Sequence, residues 1–143
     1  YDYKLDSNQL QNSKGFCGQK SVVYKKMVRL LNDMKFKEKE VKDFEDYWAI
    51  KLPKGNFCVY PQSHKDLNKI AKWKSSIIPA YFKRVLFVVI PKNKMDNKEF
   101  AHFSKIPKVA WNPLSGVYRV PSSKAQFQVH EWGVAFMVSN SLK

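Results

Sequence analysis

Arg84-Val85-Leu86-Phe87-Val88-Val89-Ile90-Pro91, the run RVLFVVIP at residues 84–91, decides how the rest of the chain is read. Its apolar core, Val85 to Ile90, is continuous and mostly β-branched, with no helical period. A membrane span needs about 20 apolar residues, so this run is far too short to be one. It predicts a strand buried on both faces at the centre of a sheet, closed by Pro91. The remaining segments are then read as what borders that strand and what covers it.

Upstream, Val23, Met27, Leu30, Leu31 and Met34 mark one apolar stripe at helical spacing. The stretch FKEKEVKDFEDYW places Val41 and Phe44 three apart among mixed charges and predicts a short second helix. YWAIKL and NFCVYP, flanking Pro53-Lys54-Gly55, read as two strands of a hairpin. Ser63 followed by Asp66 has the form of a capping box, opening a helix through Leu67, Ile70, Ala71 and Trp73 or Lys74 that Pro79 stops. Asp96 opens another short helix.

Downstream, VYRV and QFQVHEW flank the polar turn Pro121–Ala125 as a terminal β-hairpin. Alternation then puts Tyr118, Val120, Phe127 and Val129 on a face that buries, and Arg119, Gln126, Gln128 and His130 on a polar face. The expected fold is a single α+β domain: a mostly antiparallel sheet with helices packed on one face, over residues 15–143, after a flexible polar leader at 1–14.

Charge is the strongest functional signal. The 143 residues hold 26 Lys and Arg against 12 Asp and Glu, a net charge of +14. The excess is concentrated in residues 64–108, which hold 11 basic and 3 acidic groups. Such an excess resists self-association and attracts polyanions, nucleic acid first. Arg29, Arg84 and Arg119 are the only arginines. Lysine meets phosphate as a point charge, whereas the arginine fork reads base edges, so backbone attraction is expected over sequence readout.

The expected nucleic-acid-binding set is Lys65, Lys69, Lys72, Lys74, Trp73, Lys83, Arg84, Arg119, Gln126, Gln128 and His130. Lysines would hold the backbone, Trp73 would stack on unpaired bases, and the hairpin's polar face would orient the ligand. The leading expectation is therefore a domain for RNA or single-stranded nucleic acid. An alternative is a metal-independent ribonuclease using His130, Arg119 and Lys124, since histidine titrates where acid–base cleavage needs it. A second alternative is an assembly subunit docked on a larger ribonucleoprotein.

No phosphate loop, nucleophile elbow or metal-ligand spacing occurs, and no cofactor or metal is expected. Cys17 and Cys58 stand outside any CxxC pattern; they could form one disulfide, and two free thiols in an intracellular, reducing setting is the favoured reading.

Overall fold

The computed structural model describes residues 7–71, 79–98, 100–101, 118–119 and 128–137. Five strands form one sheet: β1 (Phe16–Gln19), β2 (Asn56–Gln62), β3 (Tyr81–Pro91), β4 (Tyr118–Arg119) and β5 (Gln128–Phe136). Three helices accompany them: α1 (Lys20–Asp33), α2 (Glu38–Lys51) and α3 (His64–Ile70). As the apolar run predicts, β3 is central. It pairs antiparallel with β2 and β4 on one edge, and parallel with β5 on the other.

The two faces of the sheet carry different layers. On one, Val85, Phe87 and Val89 of β3 join Phe57 and Val59 under Val23, Met27 and Leu31 of α1 and Val41 and Phe44 of α2. Trp132 and Val134 of β5 pack against the same core, with the Phe44 ring 5.3 Å from Trp132 and 5.7 Å from Phe87. On the other face Cys17, Cys58, Tyr60, Val88 and Ile90 form a smaller core with Leu10, and Ile70 of α3 packs on it. The long helices thus share one face, while short α3 and the N-terminal segment close the other.

Three expectations are corrected here. YWAIKL is not a strand: Trp48 continues the Val41–Phe44 helical face, so α2 runs on to Lys51 and the Pro53–Gly55 turn joins a helix to β2. The terminal hairpin does not form either, because β4 and β5 each pair with β3, on opposite edges. The two cysteines are not free thiols. Cys17 faces Cys58 across the β1–β2 ladder, and the two are joined in a disulfide. The leader is docked from Leu10 onward: Gln11 N–H donates to Gln62 Oε1 (2.8 Å), and Gln11 Nε2 donates to the Pro61 carbonyl (2.7 Å). Gly15 permits this close passage, since a Cβ there would lie 2.7 Å from the Val59 carbonyl oxygen.

The α1–α2 turn explains a buried charge. Phe36 N–H donates to Leu31 O and Lys35 N–H to Asn32 O, a Schellman ending with Lys35 in the left-handed region at φ 60°. Two further carbonyls at that helix end, those of Met34 and Lys35, take the Lys83 ammonium at 2.8 and 2.7 Å. A cation suits a helix C-terminus. Lys83 caps α1 from inside the protein.

Candidate functional site

The expected binding residues divide into three groups. Lys65 and Lys69 are exposed on α3, and Gln128 is exposed at the start of β5. Lys72, Trp73, Lys74, Lys124 and Gln126 lie outside the described residues, and for Arg119 only the backbone, opposite Tyr81, is described. Lys83, Arg84 and His130 are buried or nearly so, and each already has protein partners. Burial removes these three from an exposed phosphate-binding surface.

Their surroundings show why. Lys83 and Arg84 are adjacent on β3 and therefore point to opposite faces. Lys83 caps α1 and lies 4.4 Å above the Phe36 ring. Burial lowers its pKa below the usual lysine value, with Glu40 opposing that shift and Lys37 adding to it. Arg84 donates to Ala71 O (2.9 Å) and Asn68 Oδ1 (2.7 Å), tying the end of α3 to the sheet, and lies 4.0 Å from the Glu131 carboxylate.

His130, the proposed acid or base, sits across the ladder from Lys83. Its Nδ1 is 3.0 and 3.3 Å from the two Glu40 carboxylate oxygens. A carboxylate only accepts, so Nδ1 carries the proton in this contact. Glu40 also accepts the Lys37 N–H at 2.6 Å, closing the first turn of α2. The imidazole meets Phe36 and Tyr81 edge-on, with ring centroids 6.1 and 5.6 Å away, and its Nε2 is buried with no partner among the described residues. The pair is a brace between α2 and β5. It leaves no open nitrogen for a scissile phosphate.

A different basic surface emerges at the end of the sheet where β2 begins and β3 ends. Two hollows adjoin there, sharing Gly55 and Asn56. The first, about 600 Å³, is lined by Gln19, Lys20 and Tyr24 at the start of α1 together with Lys54. The second, about 560 Å³, is bordered by Pro53, Pro91, Lys92 and Asn97. Exposed Lys94 and Lys98 stand beside Lys92 and Asn97 in the chain.

Lys20 is partly engaged, donating to Leu52 O at 3.3 Å. Burial, then Glu45 and Asp46, raises the Tyr24 pKa, so its hydroxyl stays a donor at neutral pH. Because those two carboxylates act at the Tyr24 end, the cationic part of the groove is its Lys54–Lys92 end. The sequence offered only a faint signal for it: two lysine-bearing turns, PKGN and PKNK, each beside an apolar strand. Their meeting is a product of topology.

Among the described residues no group of three or more metal-binding side chains occurs, and no helix is long and apolar enough to cross a membrane. Compared with known protein families, curated proteins and solved structures, the chain matches none of them.

Proposed function

We propose that this domain binds RNA or single-stranded nucleic acid through its phosphate backbone, at the lysine-lined sheet end. The reading rests on one observation: two adjoining hollows bordered by Lys20, Lys54 and Lys92, in a chain of net charge +14. A groove of paired hollows with flexible ammonium groups along it suits a phosphate chain, where neutralisation releases counterions. Arginine forks for base edges are scarce, with Arg84 committed to α3, so weak sequence preference is expected. The ribonuclease alternative loses its support, because His130 is enclosed between Glu40, Phe36 and Tyr81. The Cys17–Cys58 disulfide favours an oxidising compartment over the reducing one expected from the sequence, and binding is best measured without reductant.

The test is fluorescence anisotropy with a labelled oligouridylate across a salt series. For a single strand, each phosphate contact contributes about −0.7 to the slope of log affinity against log salt. Replacing Lys54 and Lys92 by Gln lowers the steepness by about 1.4. The control pair, Lys65→Gln with Lys69→Gln on α3, leaves it nearly unchanged. A shallow wild-type slope, or equal losses from both pairs, rejects the groove. Weak binding to isolated RNA with stable co-purification in one particle would move the reading to an assembly subunit.

A further inference from the structure

The first hollow of the groove has two unlike sides. Its turn side is formed by exposed Lys54 with Gly55 and Asn56, the last two shared with the second hollow. Its helix side is formed by half-buried Tyr24 of α1 and Ala49 of α2. Tyr24 also packs on the main core, which gives its ring a fixed seat. Gln19 and Asn56, opposite each other in the β1–β2 ladder, border the hollow together with Ser21. Among the described residues, no hydrogen bond engages the side chains of Gln19, Ser21, Tyr24 or Asn56.

The two sides suit different chemistry. Glu45 and Asp46 precede Ala49 by four and three residues, so they share its face of α2, and both act electrostatically on Tyr24. Lys42 offsets Asp46 at 2.9 Å, whereas Glu45 has no such cation among the described residues. A phosphate is therefore disfavoured on the helix side. What that side offers is neutral: a phenol, two carboxamides, a hydroxyl and the small Ala49 side chain. Carboxamides both donate and accept, which matches the edge of an unpaired base, and an aromatic ring matches its flat face. A volume of about 600 Å³ has room for a base with its sugar. On the turn side, Lys54 and then Lys92 suit the phosphate.

We infer that the first hollow takes one unpaired nucleobase of the bound strand, beside Tyr24, while the adjoining phosphate lies at the Lys54–Lys92 end. This rests on the nucleic-acid reading above and adds a requirement to it: the strand must offer a base as well as charge.

The probes are labelled oligouridylate and an oligomer of equal sugar-phosphate length whose sugars carry hydrogen in place of the base. Both are titrated into the oxidised protein by fluorescence anisotropy. Their salt slopes agree, since the phosphates are the same, but the baseless oligomer binds at least about fivefold more weakly, as the loss of one stacked base requires. Lys54→Gln with Lys92→Gln lowers both slopes and keeps that gap; Tyr24→Leu narrows it. A second measurement needs no substitution. Oligouridylate carrying 5-iodouracil is photocrosslinked to the wild-type protein, and the adduct maps to the tryptic peptide Ser21–Lys25, on Tyr24. Equal binding of the two oligomers, or crosslinks only outside that peptide, overturns the base site while a steep, Lys54- and Lys92-dependent slope keeps the groove. A shallow slope for both oligomers overturns the two together.

Discussion

His64 gives the protein an acid-sensitive hinge between α3 and the sheet. It is the first residue of α3, after the Ser63 cap, and 1% exposed, with its ring edge-on to Phe82 at 4.5 Å. Burial, and then the nearby Arg84 guanidinium, lower its pKa from 6.5 to about 4. The folded value lies below the unfolded one, so the unfolded chain binds the proton first as pH falls. The stabilisation is complete above 6.5 and is lost as pH falls towards 4. Linkage makes the loss about 2 kcal/mol by pH 5 and roughly 3 kcal/mol by pH 4. Urea unfolding at pH 7 and pH 5 measures it, and pH 5 is the cleaner point because most carboxylates remain ionised there. His64→Leu is less stable than wild type at pH 7, yet it loses about 2 kcal/mol less between the two conditions. Equal losses in both proteins would refute the assignment of the buried, neutral imidazole.

Lys83→Met strips the Met34 and Lys35 carbonyls of their donor and costs about 2 kcal/mol, read as a lower Tm. Since burial lowers the Lys83 pKa, wild-type stability gains with rising pH in the alkaline window ending at the ordinary value of 10.5, and the variant lacks that gain. The Cys17–Cys58 bridge closes a sequence separation of 41 residues, so reduction destabilises the fold by roughly 4 kcal/mol in the chain-entropy treatment. Alkylation of the unreduced, unfolded protein followed by mass spectrometry finds no free thiol; two labelled cysteines would contradict the bridge.

Much of the fold is legible in the residues because it depends on local period. The α1 stripe, the Ser63–Asp66 box and the β-branched run of β3 each report a burial pattern that no partner has to complete. The failures share another cause. Tyr47 to Leu52 is rich in strand-forming residues, but the contacts of Trp48 and Phe44 with β5 come from the far end of the chain and hold the segment helical. In β5, alternation gives the face and not the neighbour. The phase holding Gln128 and His130 continues through Trp132 and Val134 into the core, so a face that starts polar ends buried. Lys83 and Arg84 add to a charge count whether they meet water or carbonyls. The lysine groove joins separate turns, and no spacing rule reaches across them.

The parallel pairing of β3 with β5 also bears on synthesis. Once Pro91 has emerged, β1, β2, β3 and the first two helices are in place, and the strands still missing beside β3 are the short β4 and the long β5. Phe87 and Val89 still lack Val134 and Phe136 beside them, because those residues are translated only after the whole intervening stretch. A ribosome that pauses there holds out a half-built sheet with a bare hydrophobic margin, the kind of species chaperones capture. Slow codons between Pro91 and Gln128 should therefore depress soluble yield more than the same codons placed before β2.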